Sequence, residues 1–159
     1  MVLSAGTILY RTSDAGLEVL IAHMGGPFWS RKDDHAWSIP KGEYAVGESP
    51  VDAAAREFAE EMGSPLPAGE LVGLGEFRVS GGKRLTVFAL RAEFDAATVR
   101  SNTFEMEWPP RSGRTQAFPE IDRAAWVDEA SARRKLVKGQ TAVLDALVAH
   151  VEAQINPNQ

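Results

Sequence analysis

The chain of 159 residues contains no cysteine and no apolar run long enough to span a membrane. Without cysteine there is neither a disulfide framework nor a thiolate metal site. Residues 1–6 also lack the basic residues that open a secretion signal. We therefore expect a cytoplasmic protein that has no association with a membrane.

Basic residues are outnumbered, because 17 Lys and Arg face 22 Asp and Glu, which gives a formal net charge of −5. Binding to nucleic-acid backbone relies on basic surface and is not expected here. A small anionic substrate stays possible, because a bound dication and a few basic residues can dominate the field in a cleft. The basic segment expected to be solvated surface consists of Arg133, Arg134, Lys135 and Lys138. The three histidines, which have no ligand spacing and are expected to be structural or surface residues, are His23, His35 and His150.

The chain has no repeat, low-complexity tract or linker, and its length suits one domain. We place this domain at residues 1–155, followed by a frayed tail at 156–159. Apolar and β-branched patterns predict strands at 7–10, 17–24, 37–40, 71–79, 84–94, 103–108 and 124–127. Apolar spacing also predicts a terminal helix over 137–153. Strands interleaved with two helices predict an α/β or α+β sandwich around a mixed sheet.

A second helix is predicted between Ser49 and Gly63. Ser49 is a good N-cap, a proline follows at the first helical position, and Gly63 is a good stop. At about 100° per residue, the predicted core stripe consists of Val51, Ala54, Ala55, Phe58 and Met62. The carboxylates of Glu57, Glu60 and Glu61 fall together beside that stripe.

A solvated acidic face with an Arg56–Glu60 pair would be the ordinary explanation of these carboxylates. It leaves the last turn unexplained, because negative charge there opposes the helix dipole and Glu57 repels Glu61. Each effect costs about 0.3–1 kcal/mol. A bound dication would turn the same acids into a ligand set, and clustered carboxylates suit Mg²⁺ or Mn²⁺.

Residues 42–64 resemble the signature of the Nudix hydrolases. The fixed positions of that signature are all present, as Gly42, Glu48, Arg56, Glu57, Glu60, Glu61 and Gly63. Phe58 fills an apolar slot, whereas Ser64 stands where an aliphatic residue is usual. The preceding Trp-Ser-Ile-Pro-Lys-Gly at 37–42 is similar to the diadenosine polyphosphate hydrolase branch and to some diphosphoinositol polyphosphate hydrolases.

The resemblance implies a Nudix-type α/β/α sandwich with a mixed β-sheet and a requirement for Mg²⁺ or Mn²⁺. The metal ligands that it implies are Glu57, Glu60, Glu61, Glu48 as a supporting or additional ligand, and the backbone carbonyl of Lys41. Gly42 would permit the tight turn that presents this carbonyl. Arg56 would hold the carboxylates in place, and Glu57 would help to activate water.

Nudix hydrolases often take their general base from outside the signature helix, and the candidates here are Glu105, Glu107 and Glu120. Glu120 is favoured, because it precedes a tryptophan-containing strand as in the diadenosine polyphosphate hydrolases. The catalytic residues are then expected to be Glu57, Glu120 and Arg56. The substrate-binding candidates are Lys41 for a phosphate, Trp37 with Phe28 and Trp29 for a stacked base, and Arg111 and Arg114 for distal phosphates.

The predicted function is hydrolysis of a phosphoanhydride bond in a nucleoside polyphosphate. A dinucleoside polyphosphate such as diadenosine tetraphosphate is the first choice of substrate. One alternative is a house-cleaning pyrophosphatase of nucleoside triphosphates. Another is an inactive nucleotide-sensing module, against which the intact acidic set argues. A monomer and a homodimer are both compatible with the sequence.

Overall fold

The computed structural model describes residues 2–155, which form a seven-stranded sheet, a separate two-stranded hairpin and three α-helices. The strands are β1 (Leu3–Ser13), β2 (Gly16–Met24), β3 (Trp37–Ser38), β4 (Lys41–Tyr44), β5 (Val72–Val79), β6 (Lys83–Arg91), β7 (Thr103–Glu107), β8 (Thr115–Pro119) and β9 (Ile121–Asp128). The helices are α1 (Pro50–Met62), α2 (Glu129–Lys135) and α3 (Thr141–Ile155). The tail predicted to fray, 156–159, lies outside the described residues. Among the helices described, none is long and apolar enough to cross a membrane.

β1 is the strand around which the large sheet is built. It pairs with β2 and β4 in antiparallel orientation and with β6 in parallel orientation. β3 and β9 join the sheet through β2, and β5 joins it through β6. The sheet is therefore mixed, and the predicted α/β fold is confirmed.

Successive side chains of β1 point to opposite faces of the sheet. On each face they pack against a layer that contains a helix. Ile8 and Tyr10 belong to the apolar core that also contains Leu147 of α3. Leu9 belongs to the core on the other face, together with Phe58 of α1. The layers follow the α/β/α order that the resemblance implies.

α1 begins and ends where the sequence predicts. The Ser49 hydroxyl accepts the backbone N–H of Asp52 at 3.2 Å, and Gly63 ends the helix in a left-handed conformation with φ 77°. Its buried face differs from the predicted stripe, since Ala53 is buried while Val51 is 38% exposed. The reason is that Ala53 and a neighbouring alanine pack on Ala5 of β1, which rotates the helix towards its acidic side.

Three elements are absent from the prediction: β4, β8 and α2. The terminal helix also begins at Thr141 rather than at residue 137, because residues 138–140 form a 3₁₀ turn whose Gln140 is buried. The Gln140 side chain accepts the N–H of Ile39 at 2.9 Å and donates to the Ser38 hydroxyl at 2.8 Å. This turn therefore supports the segment that leads into β4.

The basic segment after β9 is largely surface, as predicted. Most of it lies in α2, whose N-cap Asp128 accepts the N–H of Ser131 at 2.8 Å. Its ion pairs with exposed acids are Arg133–Asp145 at 2.7 Å, Arg134–Asp34 at 3.3 Å and Lys135–Asp33 at 2.7 Å. Lys138 is different, because it lines a cavity described below.

Candidate active site

The last two turns of α1 bring two carboxylates against β4. Glu61 is only 9% exposed, and its Oε2 accepts the backbone N–H of Lys41 at 3.4 Å. The carboxylate of Glu57 lies where a Cβ on Gly42 would be. Gly42 itself is part of β4, so the tight turn predicted there is wrong. A hydrogen atom in place of a side chain is what lets Glu57 approach the strand.

Arg56 links the acidic helix to the loop before it. Its Nε and Nη2 donate to the two carboxylate oxygens of Glu48, both at 3.0 Å. Its Nη1 donates to Glu57 at 2.7 Å and to Glu60 at 3.3 Å. These contacts, with Glu48 foremost, raise the pKa of Arg56 above its usual range. Because both oxygens of Glu48 are bound to Arg56, this arrangement favours the supporting role for Glu48 over direct ligation.

A third carboxylate reaches the same place from the connection between β8 and β9. The backbone N–H of Glu120 donates to the carbonyl of Asn102 at 2.9 Å, and its carbonyl accepts the N–H of Gly25 at 2.8 Å. Asn102 in turn donates its N–H to the carbonyl of Glu60 at 3.0 Å, which ties this connection to the end of α1. The charge of Glu120 acts on both acids of the helix, Glu57 and Glu61.

Two carboxyl groups of the site, those of Glu57 and Glu61, have pKa values raised above the ordinary value. Burial raises the pKa of Glu61 to about 8, and the charges of Glu120 and Glu57 act in the same direction, against Lys41. Burial also raises the pKa of Glu57, with Glu60 and Glu120 adding to the effect and Arg56 opposing it. Burial is the main cause in both residues, and the neighbouring carboxylates add to it.

The raised pKa of Glu61 predicts how the metal-free protein responds to pH. Since the folded-state pKa of about 8 lies above the ordinary value of 4.5, proton binding favours the folded state. This contribution is complete below pH 4.5 and is lost as the pH rises through 8. We expect Glu61→Gln to remove that loss, so that in EDTA the variant gains stability over the native protein between pH 5 and pH 9.

Urea unfolding of both proteins at a series of pH values measures this difference. Glu60→Gln is the matched control, because the Glu60 side chain is 41% exposed, and it should keep the pH profile of the native protein. Parallel profiles for the native protein and Glu61→Gln would contradict the burial of an ionisable carboxyl at this position.

The oxygen donors of this site suit a hard dication, although the side chains in their present positions do not surround one. Within residues 2–155, no three His, Asp or Glu side chains are gathered closely enough to hold a metal ion as they stand. The reason is that Arg56 engages Glu57 and Glu60, while Glu61 faces the Lys41 amide. All the acidic donors are carboxylate oxygens, the ligands that Mg²⁺ and Mn²⁺ prefer, and a buried carboxylate such as Glu61 gains from a cation.

A cavity of about 350 Å³ lies at the start of β4, and none of the site carboxylates lines it. Lys41 lines it and connects it to Glu61 through the backbone N–H. Its lining also includes Met24, Trp29, Val79, Lys83 and Lys138. Apart from Lys41 and Trp29, none of them is predicted from the sequence to belong to a site. They come from separate segments, and no local pattern joins them.

Trp37 does not line this cavity, and its predicted role in stacking a base is wrong. The side chain is 4% exposed, its Nε1–H donates to Asp33 at 3.0 Å, and its ring packs edge-on against His23 at 5.1 Å. The ring is part of the core, so a ligand has no access to its face. Trp29, which is partly buried, is the tryptophan at the cavity.

The remaining candidates lie on the β7–β8 hairpin or at its tip. Arg111 and Arg114 are exposed at its tip, and five residue pairs from Thr103 to Glu107 separate them from its base. That length corresponds to about 13 Å. Glu105 and Glu107 are exposed on the same hairpin, so of the three candidate bases only Glu120 is brought to the helix carboxylates.

Comparison with known proteins agrees with this architecture. An 8-oxo-(d)GTP phosphatase of Mycolicibacterium smegmatis is 27% identical over 145 residues, which are 85% of this chain and 41% of that protein. The chain thus spans less than half the length of this curated relative. Among solved structures, an Ap4A hydrolase of C. elegans in a binary complex superposes with a TM-score of 0.64 at 19% identity, covering 96% of this chain and 99% of the other.

A second structure, the NUDIX domain of Shewanella oneidensis NrtR complexed with ADP ribose, gives a TM-score of 0.62 at 16% identity. It covers 95% of this chain and 88% of the other. At these identities the structures show a shared fold. The sequence itself matches the family model of the NUDIX domain over residues 2–147. The chain therefore belongs to the Nudix family, and the resemblance stated from its signature is confirmed.

Proposed function

We propose that this protein hydrolyses a phosphoanhydride bond in a nucleoside diphosphate linked to another moiety, and that it requires Mg²⁺ or Mn²⁺. The observation that carries the proposal is the meeting of Glu57, Glu61 and Glu120, two of them with pKa values raised by burial and mutual repulsion. Such a cluster costs stability in the free protein, and a dication that carries a polyphosphate offsets that cost. Perturbed carboxyls beside a cavity are typical of catalytic sites.

The cation would be held by Glu57, Glu60 and Glu61. Glu48 and the Lys41 carbonyl are the further candidates from the signature. When bound, the cation neutralises phosphate oxygens and stabilises the charge that develops on them. Catalysis of phosphoryl transfer consists mostly of positioning and charge stabilisation, so the chain needs no covalent nucleophile.

Glu120 would accept the proton of the attacking water. Glu120 is an exposed residue, but its backbone N–H and carbonyl are hydrogen-bonded to Asn102 and Gly25. A base held in this way contributes about 10²–10⁴-fold to a rate. Arg56 would orient Glu57, with which it forms a 2.7 Å ion pair, and would tie it to Glu48.

The nucleoside end of the substrate would occupy the 350 Å³ cavity, whose volume lies in the range of small-molecule sites. Met24 and Trp29 supply apolar and aromatic wall for a base. Lys41, Lys83 and Lys138 supply positive charge for phosphates beyond the cleaved bond. This combination of an apolar wall and three ammonium groups favours a substrate with several phosphates, and we take a dinucleoside polyphosphate as the first choice.

Arg111 and Arg114 remain candidates for a more distant phosphate group. From the tip of their hairpin they would meet only a long substrate, because the length of the hairpin separates them from Glu120. The lysines of the cavity are the nearer source of positive charge. A substrate with few phosphates would therefore depend on the lysines rather than on these arginines.

A nucleoside triphosphate pyrophosphatase is the second candidate. The similarity to the 8-oxo-(d)GTP phosphatase of Mycolicibacterium smegmatis favours it, as does a cavity large enough for one nucleoside. The two activities differ in their products. A dinucleoside tetraphosphate is cleaved asymmetrically to a mono- and a triphosphate, whereas a triphosphate releases pyrophosphate.

A substrate screen tests the proposal. Diadenosine tetraphosphate, ADP-ribose and normal and oxidised nucleoside triphosphates are incubated with Mg²⁺, with Mn²⁺ and with EDTA, and the products are separated by anion-exchange chromatography. We expect AMP and ATP from diadenosine tetraphosphate with either metal and no turnover in EDTA. Pyrophosphate from a triphosphate would select the second candidate. Binding of nucleotide without turnover of any substrate would contradict an enzyme and indicate a sensing module.

A further inference from the structure

His23 is completely buried at the end of β2 and has a polar partner for each ring nitrogen. Its Nδ1 lies 2.9 Å from Oδ1 of Asp122, and its Nε2 lies 2.7 Å from the carbonyl oxygen of Lys32. Both partner oxygens accept hydrogen bonds, so the ring can donate to either of them. His23 thus joins the Asp122 carboxylate to the backbone of residue 32 through one buried ring.

Asp122 is the extra residue of a β-bulge in β9. His23 is opposite Arg123 and Met24 is opposite Ile121, so Asp122 has no partner in the register of these two strands. A bulge bends its strand and redirects the side chains beside it. Glu120 precedes the bulge by two residues, and the direction in which its carboxylate leaves the backbone depends on the bulge geometry.

The second bond of His23 reaches the loop of residues 25–36. Lys32, whose carbonyl accepts from His23, donates its own N–H to the carbonyl of Trp29 at 2.9 Å. Trp29 lines the substrate cavity, and Gly25 at the start of the same loop donates to the carbonyl of Glu120. One buried imidazole thus connects the strand of the general base to a wall of the cavity.

We infer that Asp122, through its 2.9 Å contact with His23, is a positioning residue that fixes Glu120 and the loop of residues 25–36 for catalysis. The inference rests on the proposed function, since that proposal makes Glu120 the base. Neither Asp122 nor His23 belongs to the cavity lining, and neither is part of the helix carboxylate cluster. Their effect on the reaction passes through Glu120.

Three variants test the inference. Asp122→Ala removes the partner of His23 and should lower kcat by up to about 100-fold, the size of effect that a misplacement of about 1 Å has on catalysis, without changing the affinity for Mn²⁺. Asp122→Asn keeps an oxygen that accepts from Nδ1 and should retain most of the activity. Asp128→Ala is the matched control, because it removes an aspartate at the other end of β9 together with a helix cap, and should leave kcat unchanged. Equal losses in the alanine and asparagine variants would overturn the inference.

A double-mutant cycle shows whether Asp122 acts through Glu120. If it does, Glu120→Gln combined with Asp122→Ala should be no slower than Glu120→Gln alone, because a base that is missing cannot be misplaced. Multiplied losses would overturn the inference. A Glu120→Gln variant with native kcat would instead contradict the choice of base in the proposed function.

Amide hydrogen exchange in the metal-free protein decides the matter without any activity. The N–H groups of Gly25 and Glu120 should exchange faster in Asp122→Ala than in the native protein, and their rates in Asp128→Ala should be native. Both N–H groups are held by bonds that the bulge positions. Unchanged exchange at both in Asp122→Ala would overturn the inference whatever the enzyme hydrolyses.

Discussion

Glu57→Gln is expected to lower kcat by about 10³-fold or more while the fold stays intact, because a catalytic site of this kind works through charge and proton transfer. Glutamine has the size of glutamate and keeps an oxygen for Arg56 at the present distance of 2.7 Å. It lacks the negative charge that a dication needs. Glu61→Gln should have an effect of the same order. The measurement is kcat at saturating Mg²⁺, with circular dichroism to verify the fold.

Glu105→Gln is the matched control for both substitutions. This glutamate is exposed on the β7–β8 hairpin, so its replacement removes one negative charge from the protein without touching the helix carboxylates. We expect native kcat from it. Native activity in both Glu57→Gln and Glu61→Gln would reject the assignment of the site.

Gly42→Ala is expected to lower kcat by about 100-fold, because a misplacement of about 1 Å has an effect of that size on catalysis. The added Cβ would occupy the position of the Glu57 carboxylate, and its nearest atoms all belong to that group. Either the carboxylate or the strand has to move. Since Gly42 is in regular strand conformation, alanine itself is compatible with the backbone there. The loss should therefore appear in kcat and in metal affinity more than in the melting temperature.

Gly73→Ala provides the comparison. Gly73 is also a strand glycine, in β5, and a Cβ added to it meets only the Phe88 ring at 4.0 Å. We expect native activity and metal affinity from this variant. Native kcat in Gly42→Ala would show that the Glu57 carboxylate is not held against β4 during turnover.

The parts of the protein that the sequence predicts well are those specified by residues close together in the chain. α1 is an example, since Ser49 caps it, Gly63 stops it, and its acids are three and four residues apart. The signature of the Nudix family lies in this same stretch. Family and fold could therefore be recognised before any contact between distant segments was known.

The contacts that give these acids their properties come from elsewhere in the chain. Glu61 is buried because α1 rotates onto small residues of β1, and its hydrogen-bond donor is in β4, a four-residue strand that exists only through pairing with β1. Glu120 owes its position to Asn102 and Gly25. No pattern of short period contains this information, so neither β4 nor the rotation of the helix could be predicted.

Trp37 and His23 show the same limit for single residues. A tryptophan before a glycine-containing strand could equally well bind a ligand or belong to the core. Contacts with Asp33 and with the imidazole of His23 hold Trp37 in the core. His23 has no recognisable spacing to any other functional residue. Its partner Asp122 follows it by 99 positions, and a bulge, which sequence patterns do not mark, brings the two together.

The parallel pairing of β1 with β6 also determines the order in which the molecule is completed. Leu3 pairs with Arg84, so the entire acidic helix lies within the loop of chain that this pairing closes. Synthesis proceeds from the N-terminus, and the helix is therefore made before β6 exists. Until β6 docks beside β1, the acidic helix has only the earlier strands β1 to β4 to pack against, and the sheet is completed by a late, long-range step of folding.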